Sequence, residues 1–283
     1  MQLSSITNGL LSKNNTALDI LRLDLLHPVI SGNKWFKLKY NIESAQQSNI
    51  DTLLSFGGAY SNHLHALAYA GKEFGMKTIG IIRGERVQNQ TLNDCEKWGM
   101  ELCFISRSDY RIKTDAHFLA DIKEKFPHAY IIPEGGNNAL GVKGCKEILD
   151  GVAIEKYDLI TCSVGTGTTF AGLIEASYPK HQLLGFTAVK NGEYLHSDIE
   201  QHTSQRNWKL ITNYHFGGFA KKNPELVSFM MDFKIQQGIE LDFVYNAKMM
   251  YGLFDMMEQT ALFNNKKVLA IHTGGLQGNR SLI

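Results

Sequence analysis

Tyr157-Asp158-Leu159-Ile160-Thr161-Cys162-Ser163-Val164-Gly165-Thr166-Gly167-Thr168-Thr169 runs from an apolar strand, through a turn of small residues, into a helix reaching Ser177. The same figure recurs along the chain. Thr52–Phe56 leads into Gly57-Gly58-Ala59-Tyr60-Ser61-Asn62-His63 and a helix that Gly75 stops. Ala129–Ile132 leads into Pro133-Glu134-Gly135-Gly136-Asn137-Asn138-Ala139-Leu140-Gly141 and a helix to about Leu149. Val268–Ile271 ends in His272-Thr273-Gly274-Gly275. Further strands are expected at 18–25, 78–82, 102–105 and 183–189, and further helices at 92–98, 116–125, 224–237 and 245–263. Strand and helix in alternation define an α/β protein built on parallel sheets. Ligands of such sheets bind outside the carboxyl ends of strands, so the loops at 57–63, 134–138, 164–169 and 273–275 are expected to line one cleft.

Composition limits the class. The 283 residues suit two modest domains, and 43% apolar with 20% charged residues is ordinary for a globular protein. A net charge of +1 gives no reason to expect a nucleic-acid or membrane partner. Cys95, Cys103, Cys145 and Cys162 form no CxxC pair and no metal spacing, and read as reduced thiols of a cytoplasmic protein. The polar Met1–Thr16 lacks the pattern of a signal peptide, and no bound metal is expected.

Four stretches carry chemistry. In Ile30-Ser31-Gly32-Asn33-Lys34-Trp35-Phe36-Lys37-Leu38-Lys39-Tyr40 a glycine turn opens a helix and puts Lys34 in its first turn. The positive end of the helix dipole disfavours a protonated amine there, and a neutral lysine attacks carbonyls. The alternative is a solvated helix lysine. Gly165-Thr166-Gly167-Thr168-Thr169 offers backbone N–H groups, hydroxyls and a helix N-terminus to a phosphate, or is a tight turn without a ligand. It is neither a Walker A loop nor GxGxxG. Ser61 could shuttle a proton and Asn62 could donate and accept, or the pair could only cap its helix. His63 and His65, two apart on a helix, do not face one site. Tyr245 in Tyr245-Asn246-Ala247-Lys248 could stack on a flat ring or sit in the core. One cofactor answers all these needs. Pyridoxal phosphate has an aldehyde for a lysine, a phosphate for the cradle, a phenolic oxygen for an amide, a flat ring for a wall, and a ring nitrogen.

On these residues the chain resembles the tryptophan-synthase-β-like (fold type II) pyridoxal-phosphate enzymes. Within them it is similar to the aminocyclopropane-carboxylate deaminase and D-cysteine desulfhydrase branch, over nearly its whole length. The resemblance implies that Lys34 forms the Schiff base and that Ser61 is the base or proton shuttle. It makes Asn62 the partner of the phenolic oxygen, residues 165–169 the phosphate loop and Tyr245 the ring-side tyrosine. Ser61, Asn62, His63 and Gly136 are the residues expected around the substrate, with Lys34, Ser61 and Tyr245 catalytic. After the tyrosine, the deaminases carry a glutamate and the desulfhydrases a threonine facing the ring nitrogen. This chain has Asn246, with Thr273 as the next candidate. A further tyrosine of the deaminases falls on Phe219, and Gly135–Gly141 is closer to the desulfhydrase version.

The expected architecture is two parallel-sheet, three-layer domains with the cofactor in the cleft between them. The larger is built from 1–47 and 148–283, and the smaller from 48–147. The expected activity is β-elimination from a D-cysteine-like amino acid to pyruvate, ammonia and sulfide. The alternatives are an aminocyclopropane-carboxylate deaminase or a pyridoxal-phosphate-binding protein with little catalysis. A homodimer is the expected assembly.

Overall fold

A computed structural model describes residues 1–282. Its strands are β1 (Leu3–Ile6), β2 (Ala17–Arg22), β3 (Thr52–Gly57), β4 (Lys77–Arg83), β5 (Met100–Ile105), β6 (Ala129–Ile132), β7 (Leu159–Val164), β8 (Gln182–Thr187), β9 (Trp208–Ile211) and β10 (Lys267–His272). They form two sheets, and the chain divides into two compact units, Met1–Asn33 with Cys145–Ile283, and Lys34–Gly144.

The larger unit holds a six-stranded sheet of order β1-β2-β10-β7-β8-β9. Only β1 is antiparallel, pairing Leu3 with Leu21, while the other neighbours run parallel. In the centre, β10 sets Val268 opposite Leu18 of β2 and Leu159 of β7. Five consecutive residues of β10, from Val268, are buried, because a parallel strand covered on both faces has no solvent side to alternate toward. The helices Pro224–Gln237 and Asn246–Gln259 supply Leu226, Phe233, Ala247, Met250, Leu253 and Met257 to one core with Leu18, Ile20, Leu159 and Phe186. Each of the larger side chains among them contributes roughly 1.5–3 kcal/mol on burial. Asn223 caps the first of these helices and Gly238, at φ 67°, closes it.

The smaller unit holds a four-stranded, all-parallel sheet of order β5-β4-β3-β6, with Thr52 opposite Lys77 and Ala129. Leu54, Phe56, Ile79, Ile81, Tyr110 and Ile122 form a core there. Ser61 caps the helix Asn62–Phe74 by accepting from Leu64 N–H, and Gly75 ends it at φ 67°.

The structure departs from the sequence reading in several places. The expected strand at 18–25 leaves the sheet at Arg22, and Leu23–Leu25 is a 3-10 turn. There the Arg22 guanidinium grips Asp24 with two hydrogen bonds and Gly32 N–H donates to Leu23 O. The edge strands β1 and β9 were not foreseen. The helix Asn33–Gln47, expected in the larger domain, packs from Lys34 onward with the smaller unit. Its contacts explain why. A Cβ on Gly144 would lie 1.9 Å from Phe36 O, so only a glycine lets the 139–146 helix approach that close. Asn138 Nδ2 donates to Asn41 Oδ1 at 2.7 Å, and the Lys143 ammonium lies 3.9 Å from the Tyr40 ring centre.

Candidate active site

In the larger unit the ends of β7 and β10 lie side by side, and their loops carry most of the expected cofactor residues. Gly165 follows β7. A Cβ there would sit 3.0 Å from Tyr245 Cε1 and 3.2 Å from its hydroxyl, so the tyrosine ring stands directly against the glycine backbone. Gly167 takes φ 81° as the N-cap of the helix Thr168–Ala176. A side chain there would be strained and would meet Ile199. Thr166 and Thr168 pair their hydroxyls at 3.0 Å, and the helix N-terminus beneath them points its N–H groups outward. Thr169 Oγ1 accepts from Asn33 Nδ2 at 2.8 Å.

That last bond anchors the start of the lysine helix. Asn33 N–H also donates to Thr273 O at 3.2 Å, and Gly32, at φ 71°, has its missing Cβ 1.9 Å from the same carbonyl. The residue before Lys34 is thus tied to both the 165–169 loop and the 273–275 turn. Lys34 itself lies in the first turn of its helix and is half-buried.

The 273–275 turn rests on Asn246, which is fully buried. Asn246 Oδ1 accepts from Thr273 N–H at 3.0 Å and from Thr273 Oγ1 at 3.2 Å. Its Nδ2 donates to Gly274 O at 2.8 Å and to Asp242 Oδ1. Two donors and two acceptor lone pairs are all used, which corrects the expectation that this amide faces a ring nitrogen. Asn246 is the tie that shapes the turn, and the candidate role passes to Thr273, whose hydroxyl also meets Ser163 Oγ at 3.2 Å and would have to turn its one proton away from Asn246 Oδ1 to serve a ring nitrogen. Asp242 was missed in the sequence. Its buried carboxylate accepts the N–H groups of Val244, Tyr245 and Asn246 as well as the Asn246 amide. An acidic residue four before a helix start is the signal that was available.

His272 supports the turn from below. Nδ1 accepts Gly274 N–H at 3.2 Å, and Nε2 donates to Glu240 O at 2.8 Å.

In the smaller unit, Ser61 lies over Gly57, whose absent Cβ would be 2.6 Å from Ser61 Oγ. Asn62 is the first helical residue and half-buried. His63 and His65 do part, as expected. His65 Nε2 meets Asp94 Oδ2 at 3.2 Å, while His63 Nε2 meets Ser55 Oγ at 3.0 Å. The Ser55 hydroxyl donates to Ile132 O at 2.8 Å, so it must accept from Nε2–H, and His63 Nδ1 is left a bare acceptor. That atom is buried with no partner among the described residues. Burial, helped by the positive charges of Lys37 and Lys34, pushes the His63 pKa down to about 3, so the ring is neutral. Gly136, at φ 67°, closes this corner, its missing Cβ 3.1 Å from Lys37 Cβ and 3.6 Å from His63 Cε1.

These features match a known family. The pyridoxal-phosphate dependent enzyme family matches residues 11–274, and the chain belongs to it. A Thermotoga maritima protein provisionally named 1-aminocyclopropane-1-carboxylate deaminase is 33% identical, over 92% of this chain and 88% of its own. The Arabidopsis thaliana bifunctional D-cysteine desulfhydrase/1-aminocyclopropane-1-carboxylate deaminase is 27% identical, over 94% of this chain and 74% of its own. A crystal structure described as an ACC deaminase homologue superposes with a TM-score of 0.82 at 26% identity, covering 98% of this chain and 90% of that one. The protein is therefore a pyridoxal-phosphate-dependent enzyme of fold type II. Within the larger unit its residues fit the group's phosphate: the glycine and threonine turn leads into the helix Thr168–Ala176, whose N-terminus has no side-chain cap. Within the smaller unit, His63 Nδ1 is a buried acceptor with no partner among the described residues.

Proposed function

We propose that the protein is a deaminating lyase that releases pyruvate, ammonia and a β-leaving group from a small amino acid of the D-cysteine kind. Bound pyridoxal phosphate supplies an electron sink for the carbanion left when the substrate α-proton is removed. Lys34 Nζ would hold its aldehyde carbon. The N–H groups and hydroxyls of Gly165–Thr169 would hold its phosphate, Asn62 its phenolic oxygen, and Tyr245 would wall its ring. Ser61 Oγ or the freed Lys34 amine would move the substrate proton. Ser61, Asn62, His63 and Gly136 would receive the substrate. The bare Nδ1 of His63 suits an N–H or O–H donor but not a proton, given its depressed pKa.

The observation that carries the choice of reaction is the neutral chemistry at Thr273, the candidate left for the ring nitrogen once Asn246 is saturated. Its hydroxyl carries no charge, and the nearby Asp242 carboxylate is saturated by four donors of its own segment. A neutral partner does not hold the ring nitrogen protonated, so electron withdrawal is moderate. That suits loss of a good leaving group better than opening a cyclopropane ring. The Thermotoga relative's name favours ring opening as the second reading. A screen of D- and L-amino acids for keto-acid release decides. Pyruvate from D-cysteine or β-chloro-D-alanine is expected, and efficient 2-oxobutyrate release from aminocyclopropane carboxylate would overturn the choice. A cytoplasmic homodimer remains the expected form, and sedimentation would test the assembly. No helix among the described residues is long and apolar enough to cross a membrane.

A further inference from the structure

The helix Asn246–Gln259 carries a lysine whose ammonium is shut away from solvent. Lys248 is 1% exposed and among the largest fully buried side chains. Its Nζ donates to Gly218 O at 2.7 Å and to Ala188 O at 3.4 Å. Burying an ammonium is costly, and a methionine would fill the same space without that cost. Burial accordingly pulls the Lys248 pKa down to about 8, with the Asp242 charge opposing the fall.

The carbonyl it grips lies in an unusual segment. Phe216, Gly217, Gly218 and Ala220 have φ of 50°, 91°, 117° and 53°. Left-handed backbone at a phenylalanine and an alanine is strained, and persists only where surrounding contacts over-determine it. Gly218 O also accepts Lys221 N–H at 3.1 Å, so this carbonyl is the fixed point of the turn. The next residue, Phe219, is half exposed, and its ring meets Tyr245 edge to face at 6.0 Å between centres.

We propose that Lys248 is a positioning residue, which clamps the Gly218 carbonyl so that Phe219 is held against Tyr245 as a wall on the substrate side. This rests on the reading of Tyr245 as the ring-side residue. The lysine grips one residue and the next one carries the ring, so the clamp acts one step from the group it places. The helix that supplies the clamp begins directly after Tyr245, so both halves of the wall are referred to the same rigid element. A loop that must be strained to present a ring needs a strong, directional hold, and a desolvated ammonium between two carbonyls is one.

The test compares Lys248→Met, Phe219→Ala and the double variant. Hydrogen exchange of residues 216–220 should quicken about tenfold or more in Lys248→Met, with the 246–259 helix unchanged. For D-cysteine, KM should rise about five- to tenfold in each single variant while kcat stays within about twofold, and the double variant should be no worse than Phe219→Ala. If Lys248→Met fails to fold, Gly218→Ala forces a side chain into φ 117° and loosens the same turn, and should give the same KM change. Additive losses in the double variant, a loss confined to kcat, or unchanged exchange would overturn the inference. The imine absorbance of the unmodified protein separates the two levels. Its absence would sink the cofactor reading, whereas its presence with additive losses sinks the Lys248 assignment alone.

Discussion

Asn246→Ala removes the amide that shapes the 273–275 turn, and the structure sets the size of the effect. Four hydrogen bonds vanish, but their partners fare differently. Asp242 keeps three backbone N–H donors, and Thr273 Oγ1 keeps Ser163. Thr273 N–H and Gly274 O lose the amide atoms that now bind them, in a fully buried site. Each of the two orphaned backbone groups costs about 1–3 kcal/mol, so the variant should lose about 2–6 kcal/mol in total. Against a typical stability of 5–15 kcal/mol this is a large fraction, equivalent to a fall in Tm of roughly 10 °C. Urea and thermal unfolding followed by circular dichroism, on cofactor-free protein, measure it. Asn246→Asp is the companion. It keeps the shape but sets a second carboxylate beside Asp242, so one of the pair must have a raised pKa. A raised carboxyl pKa gives stability that is present at low pH and lost as pH rises through it, so this variant should weaken from about pH 4 upward. A loss below about 1 kcal/mol in Asn246→Ala, with a changed cofactor spectrum, would refute the reasoning and return Asn246 to the ring nitrogen.

Other perturbations follow from the same geometry. Gly167→Asp sets a side chain at φ 81° and drives its Cβ to 2.9 Å from Ile199 Cγ1, so the turn must shift, and cofactor retention on dialysis should fall sharply. His63, neutral in the fold with a pKa of about 3 against 6.5 when free, binds fewer protons folded than unfolded in that window. Stability should therefore fall as pH drops from about 6.5 toward 3, and His63→Gln should flatten that slope in pH-dependent unfolding. Gly32→Ala would drive a Cβ to 1.9 Å from Thr273 O and should leave little folded protein, judged by soluble yield and circular dichroism.

The parallel α/β plan was readable because buried strands and amphipathic helices alternate with glycine-rich turns. The carboxyl-end loops followed from that plan without further information. The edge strands were not readable. Trp208–Ile211 is four residues set in a polar stretch, and Leu3–Ile6 shows only one buried residue. Short edges carry little periodicity, and their pairing partners decide them. The unit to which the 34–47 helix belongs is not legible in the sequence, because nothing local distinguishes a helix packed on one unit from the same helix packed on another. Gly144 against Phe36 is a tertiary fact. The same limit applies in the site. Lys34, the 165–169 loop and Tyr245 are marked by residue type and position, whereas the saturation of Asn246 depends on Asp242, Thr273 and Gly274 meeting in space. Lys248 gave no sign in the sequence, because a lysine two residues after a helix start usually lies in solvent.

The most direct test of the account is chemical. Borohydride reduction of the yellow holoenzyme fixes the cofactor to the amine that holds it, and peptide mass spectrometry then locates it. The account predicts a single modified residue, Lys34, and no imine absorbance in Lys34→Ala. Modification of Lys37, Lys39 or Lys248 instead, or an intact imine band in Lys34→Ala, would contradict it.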